Sequence, residues 1–401
     1  MTFPGSFTAV PKGVWALGLV SLFMDVSSEL VHSLLPVYMV TTLGAGVASV
    51  GLIEGIAEAT AMIVKVFCGT LSDLFGRRKL LTAIGYGLAA ITKPLFPLAD
   101  SLGLVFAARF IDRIGKGIRG APRDALVGEI APPHLRGACF GLRQSLDTVG
   151  AFLGPLLAML FMQTMAGDLR AVLWVAVIPA FLAVAILVFG VQEPAPSHPA
   201  SRARVPIRPR DIRQIGRAYW RIVGIASLLT LARFSEAFLI LKGQATGLPI
   251  ASVPVILIGM NIIYSLVAYP AGRLSDRIDR TAVLKAGITL LIAADAVLAI
   301  AGNYWMLAIG IALWGLHMGF TQGLFAALIA DAAPPQLRGT AFGIFNLAGG
   351  AATLLASVIA GLLWDRFGPA FTFLTGAAFS VAALIGLRRI SIETAARIGR
   401  S

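Results

Sequence analysis

Apolar residues recur along this chain in runs of roughly 20, the length an α-helix needs to cross the hydrocarbon core of a bilayer, and short polar breaks separate them. The runs predict helices near 13–38, 47–70, 80–98, 103–121, 140–163, 171–191, 221–242, 250–271, 282–302, 305–330, 340–363 and 370–388. The expected fold class is therefore an all-α membrane protein of about twelve transmembrane helices.

The pattern also repeats. The stretch Ala131-Pro132-Pro133-His134-Leu135-Arg136-Gly137 through Phe140-Gly141 returns as Ala333-Pro334-Pro335-Gln336-Leu337-Arg338-Gly339 through Phe342-Gly343, 202 residues later. Gly69-Thr70-Leu71-Ser72-Asp73 returns as Gly272-Arg273-Leu274-Ser275-Asp276 at an offset of 203. Two separate matches at nearly one offset predict two homologous, pseudo-symmetric six-helix halves, 1–191 and 220–401, the second ending in a short cytoplasmic tail. Between them, 192–219 loses hydrophobicity and gains five prolines with Arg202, Arg204, Arg208, Arg210, Arg213 and Arg217. This segment reads as a basic cytoplasmic linker, with attraction to anionic lipid headgroups as the alternative.

Composition agrees with the pattern: 57% of the 401 residues are hydrophobic and 13% charged, about half the charged share of a soluble domain. The net charge of +13 could suggest nucleic acid, but the basic residues sit in short loops and tails rather than on one surface. With the N-terminus inside, the cytoplasmic loops hold Arg77, Arg78, Lys79, Arg136, Arg277, Arg280 and Arg338, against Arg170, Lys242 and Arg366 outside. That asymmetry predicts two cytoplasmic termini. The first apolar stretch carries Asp25 and Glu29 and is too long for a cleaved leader, so it is expected to remain as the first helix. Cys68 and Cys139 fall near the cytoplasmic face, where thiols stay reduced, and imply neither disulfide nor metal framework.

Gly69-Thr-Leu-Ser-Asp-Leu-Phe-Gly-Arg-Arg-Lys79 closely resembles the loop 2–3 signature of the major facilitator superfamily, with Gly69, Asp73, Gly76, Arg77 and Arg78 in its positions. The resemblance implies a cytoplasmic latch, in which Asp73 pairs with basic groups and a helix end and favours the outward-facing state. The second copy, at Asp276, is degenerate, with Asp279 where Gly76 stands in the first. In the fifth helix, Gly141, Gly150, Gly154 and Pro155 resemble a motif of the family's antiporter branches, although Ala158 and Met159 replace its final glycine pair. Close helix packing explains the same residues. In the fourth helix, Arg109 with Gly115 and Gly117 resembles a further family motif, here with Asp112, Arg113 and Lys116 added.

Ionisable groups inside a span are costly and mark candidate sites. Asp25, Glu29 and His32 lie on one stripe of the first helix, Glu54, Glu58 and Lys65 on one of the second, and Arg109, Asp112, Arg113, Lys116 and Arg119 along the fourth. They suggest a common polar cavity. Glu29, Asp25, Glu54 and Glu58 are the proton-coupling candidates, Glu29 foremost because Ser28-Glu29 matches Ser235-Glu236 in the other half. Arg109, Asp112, Arg113, Lys116, His32, Arg233 and Glu236 are the substrate-cavity candidates, and Asp295 is a further intramembrane acid. A static ion-pair network is the competing explanation.

No phosphate loop, nucleophile elbow or His-Glu-x-x-His pattern occurs, so catalysis is not expected. The expected function is secondary active transport by alternating access, with the proton as coupling ion, no cofactor or bound metal, and efflux of a small organic molecule, an anion being one candidate. Proton-coupled uptake, divalent-metal export and a non-transporting receptor are the alternatives. The expected partners are the substrate and the lipid of a bacterial inner membrane, with neither nucleic acid nor an obligatory protein.

Overall fold

The computed structural model describes residues 10–75, 78–193, 215–275, 277–321, 324–334 and 337–398. The first part of the chain forms α1 (Lys12–Thr41), α2 (Val47–Phe75), α3 (Arg78–Thr92), α4 (Leu95–Leu98), α5 (Leu102–Ile130), α6 (Arg136–Thr164), α7 (Leu169–Val175) and α8 (Val177–Gly190). The remainder forms α9 (Arg217–Ala232), α10 (Ala237–Ala245), α11 (Val255–Ser275), α12 (Arg280–Ile300), α13 (Tyr304–Thr321), α14 (Leu324–Ala332), α15 (Arg338–Phe367) and α16 (Pro369–Ile398). No strand occurs among the described residues.

Eleven of the expected spans are helices long and apolar enough to cross a membrane. The twelfth is α5, 29 residues long, and charge rather than length sets it apart: Arg109, Asp112, Arg113 and Arg119 are all buried within it.

Three spans expected to be continuous are broken. Pro94 restricts Lys93 and donates no backbone hydrogen bond, which separates α3 from α4. Pro179 has no N–H for the Val175 carbonyl, where α7 ends; the Ala176 carbonyl just beyond instead accepts a hydrogen bond from Ser27 Oγ at 2.7 Å. The third break, at Arg233–Glu236, contains neither proline nor glycine. There the Ser235 N–H donates to Ser357 Oγ at 3.3 Å, and Ser235 Oγ accepts from the Ala237 N–H at 3.3 Å. Irregular backbone at membrane depth persists where such local partners replace the helical ones.

The chain divides into two compact units, one of residues 1–38 and 60–205, the other of 39–59 and 206–401. The sequence places a single boundary at the basic linker, most of which (194–214) lies outside the described residues; the structure also assigns 39–59 to the second unit. Glycine is the reason. Gly51 and Gly55 of α2 let its backbone meet Ser357 and Leu354 of α15, where a side chain on Gly51 would collide with the Ser357 carbonyl and one on Gly55 would lie 3.1 Å from the Leu354 carbonyl oxygen. Asp365 of α15 then accepts the Val47 N–H at 2.9 Å and the Ala48 N–H at 2.8 Å, capping α2 from a distant part of the chain. Asp365→Ala is expected to destabilise the protein by about 1 kcal/mol, seen as a lower thermal midpoint in detergent.

In the first unit, Leu17, Val20 and Met24 of α1 share a core with Tyr86 of α3, Leu126 of α5 and Leu187 of α8. The backbones of α3 and α5 come close at Gly85 and Gly115, where a Cβ on Gly115 would lie 2.5 Å from the Gly85 carbonyl oxygen. That approach brings the charged face of α5 against its neighbours.

Candidate functional site

The deepest charges of the first unit converge on Asp112. Lys93 sits at the α3–α4 break and reaches Asp112 Oδ1 with its Nζ at 2.9 Å, the two side chains being 1% and 3% exposed. The same ammonium donates to Ser28 Oγ of α1 at 3.2 Å. Arg113 Nε stands 3.7 Å from the other oxygen, Asp112 Oδ2, and Arg109 adds its positive charge to the same carboxylate. One anion thus holds three buried cations from two helical elements. Such a group is stable only as a set, because burial strengthens the attraction and the cost of an unpaired charge alike.

Glu29 lies on α1 with His32 Nδ1 3.5 Å away, and Lys116 and Arg113 of α5 supply the other positive charge around it. Further along α1, Asp25 Oδ1 is 3.9 Å from Arg119 Nη2, while the Arg119 guanidinium lies 4.7 Å from the centre of the Tyr86 ring. These contacts join acids of α1 to bases of α5. Glu54 and Glu58 are placed differently: Glu54 is fully buried and Glu58 partly so, on the stretch of α2 that belongs to the second unit.

A second network occupies the same unit. Arg123 of α5 donates to Ser21 Oγ at 3.0 Å and Tyr86 Oη at 3.4 Å, and stands 3.5 Å from Asp147 Oδ1 of α6 and 3.2 Å from Asp124 Oδ1. Arg143 of α6 lies 3.6 Å from Asp147 Oδ2 and 3.8 Å from Asp124 Oδ1. Sequence reasoning missed Lys93, Arg123, Arg143 and Asp147. Two signals were there: Lys93 is a charge beside a proline in an apolar run, and Arg143 and Asp147 share a helix face at i, i+4.

The glycines of α6 divide. A Cβ on Gly150 would lie 2.5 Å from the Leu22 carbonyl oxygen, and one on Gly154 2.8 Å from the Val26 carbonyl oxygen and from Glu29 Cβ, so both set the α1–α6 distance. Gly141 has open space instead. Pro155 is buried within α6.

Of the loop signature, the side chains of 69–77, including Gly69, Asp73, Gly76 and Arg77, lie outside the described residues, as does Asp276. Arg78 is described and pairs with Glu129 of α5 at 2.6 Å, beside Lys79, whose Nζ donates to the Val188 carbonyl at 2.9 Å.

In the second unit, Arg233 and Glu236 flank the break between α9 and α10 rather than sharing one continuous helix face, and Arg233 interacts electrostatically with Glu236 and Tyr264. His317 Nδ1 is 2.8 Å from the Gly287 carbonyl oxygen, which requires the proton on that nitrogen. Asp295 is fully buried with no hydrogen-bond partner for either oxygen among the described residues. Phe234, beside the break, packs on Phe238, Trp314 and Phe373.

Comparison with known proteins places these features in a family. The profile described as Major Facilitator Superfamily matches residues 17–261 and 225–398. An uncharacterised MFS-type transporter of Methanocaldococcus jannaschii is 33% identical over 379 residues, 92% of each chain. The multidrug resistance protein MdtH of Yersinia enterocolitica is 26% identical over 196 residues, 49% of this chain and 47% of that one. A crystal structure of the nucleoside transporter NupG superposes with a TM-score of 0.77 at 16% identity, covering 94% of this chain and 98% of the other. A multi-pass helical membrane protein with this repeat, this loop signature and these matches over nearly its whole length is a transporter rather than an enzyme, and the chain belongs to the Major Facilitator Superfamily.

Proposed function

We infer that the protein is a proton-coupled secondary transporter that exports a small organic molecule, an organic anion by preference, through alternating access. The observation that carries this reading is the pairing of α1 acids with the basic face of α5 inside the first unit: Asp25 with Arg119, and Glu29 among His32, Lys116 and Arg113. A cycle needs charges that change partners at membrane depth, and such pairs supply them. Export draws support from the partial likeness to a relative named for multidrug resistance. The preference for an anion comes from the excess of arginine and lysine on α5. In this reading Asp73 with Arg77 and Arg78 forms the cytoplasmic latch, Glu29 exchanges the coupling proton, Arg109 contacts substrate, and both termini face the cytoplasm of a bacterial inner membrane.

The test is flux in liposomes loaded with a pH-sensitive dye, screened with chemically diverse solutes, using wild type, Glu29→Gln and Arg109→Ala. Substrate-dependent proton movement is expected in wild type and lost in Glu29→Gln, while Arg109→Ala weakens the response to substrate. Substrate flux with no proton movement, unchanged by Glu29→Gln, would sink the coupling.

A further inference from the structure

We propose that Asp295 of α12 is a proton-binding site of the second unit, and that the bound proton fixes the broken end of α9 against α12 and α16. The proposal goes beyond the coupling assigned to Glu29 and does not depend on it.

Asp295 is fully buried, and neither of its oxygens has a hydrogen-bond partner among the described residues. On the facing helix α16, Ser380 is also fully buried with its Oγ unpartnered, one turn beyond Gly376 on the same face. An ionised carboxylate taken out of water without a countercharge is among the costliest groups to bury, and such a group is neutralised instead.

Gly376 of α16 shows what the carboxyl faces. A Cβ there would lie 2.7 Å from Asp295 Oδ2, 3.3 Å from the Ala232 carbonyl oxygen and 3.2 Å from the Phe234 ring. The missing side chain lets α16 close over a hollow that the carboxyl shares with the end of α9. Ala232 is the last residue of α9, so its carbonyl is among those a helix leaves without an internal donor, at the end that carries partial negative charge. An ionised Asp295 would set one acceptor against another, whereas a protonated one has an O–H to give. The remaining wall is aromatic, Phe234 packing on Trp314 and Phe373. A hard metal cation takes about six oxygen ligands, which such a wall does not supply. The proton is the occupant that fits.

The ionisable groups on the surrounding elements stand apart from the carboxyl. On α12 itself, Lys285 and Arg280 lie ten residues or more before Asp295. His317 of α13 is tied through Nδ1 to the Gly287 carbonyl, eight residues before Asp295. α11 carries Tyr264, Tyr269 and Arg273, and Tyr304 starts α13. The described side chains of α16 include no ionisable group. Arg217 and Arg221 of α9 lie at least eleven residues before Ala232. At the break itself, Arg233 adjoins both Ala232 and Phe234 and is directed to Glu236.

With the proton bound, the end of α9, α12 and α16 meet without charge. Its departure leaves a bare carboxylate against the α9 carbonyl end, and Arg233, one residue from Ala232, is the cation placed to turn towards it. The break is secured there by the Ser235 N–H on Ser357 Oγ at 3.3 Å, a long bond that such a turn can release. Loss of the proton would thus reshape the α9–α10 break.

The experiment is infrared spectroscopy of the purified full-length protein in lipid at neutral pH, without substrate, following the carbonyl stretch of protonated carboxyl groups. Wild type is expected to show a band that moves in deuterated buffer and that Asp295→Asn removes, while Asp365→Asn leaves it in place. Identical spectra for wild type and Asp295→Asn overturn the site. A band that fades when sodium replaces choline at constant pH overturns the proton as occupant. Should Asp295→Asn fail to purify as a monodisperse species, Asp295→Glu decides: a displaced band supports the site, an unmoved one overturns it. Hydrogen exchange of the peptide spanning 232–238 tests the link to α9. Asp295→Leu, with no hydrogen to donate, should speed that exchange several-fold, whereas Asp295→Asn, which keeps a donor, should not; equal exchange in the two variants overturns the link. None of these measurements involves flux, so absent gradient-driven transport in liposomes condemns the coupling reading alone, and an unchanged band condemns this site alone.

Discussion

Asparagine in place of Asp112 is expected to cost about 3–5 kcal/mol, the toll of leaving buried charge without its partner, and to remove most of the folded protein recovered from membranes. Lys93 has Asp112 at 2.9 Å and otherwise donates to a neutral serine, and Arg113 and Arg109 depend on the same carboxylate. Removing the negative charge takes from all three cations the carboxylate they share. The check is the monodisperse peak and thermal midpoint of detergent-solubilised protein, together with the double variant Lys93→Met, Asp112→Leu. Buried ion pairs replaced whole by apolar side chains of similar size are commonly neutral; the double variant removes Lys93 but leaves Arg109 and Arg113, so it should recover only the part of the loss that Lys93 accounts for. An Asp112→Asn protein as stable as wild type would show that the network holds nothing together.

Gly115→Val carries the second large effect. The added Cβ would lie 2.5 Å from the Gly85 carbonyl oxygen and 3.1 Å from the Ala89 nitrogen, both backbone atoms that no rotamer change can move aside. Overpacking of this kind costs about 1–3 kcal/mol. Here it also pushes α5 away from α3 and stretches the Lys93–Asp112 bond, so transport activity should fall more steeply than stability. Gly120→Ala on the same helix is the control: nothing lies within 4 Å of its would-be Cβ, and alanine's helix preference should leave the midpoint unchanged or slightly raised. Equal losses in the two variants would refute the steric account.

The helices were legible because crossing a bilayer demands a length of apolar chain that few other constraints mimic. α5 was legible for a different reason, its charges recurring at helical spacing. Two of the three breaks could have been placed from Pro94 and Pro179; the third could not, since Ser235 turns there against Ser357, 122 residues away. The same distance in sequence hid the site's partners. Asp25, Glu29 and Asp112 stood out as charges in apolar surroundings, but that Asp112 pairs with Lys93 across a helix break, and Asp25 with Arg119, is decided by packing through Gly115 and Gly85. Glu54 and Glu58 lie on the stretch of α2 that groups with the second unit, which their shared stripe alone does not record.

The charged face of α5 also bears on how the chain enters the membrane. Each arginine or lysine at the centre of a lone helix costs an inserting segment about 2.5–3.5 kcal/mol, and α5 buries Arg109, Arg113 and Arg119 along with Asp112. Its counter-groups Asp25 and Glu29 on α1 and Lys93 after α3 all precede it in the chain. During synthesis they leave the ribosome first, so α5 can be accepted from the insertion machinery as a partner for helices already waiting in the lipid.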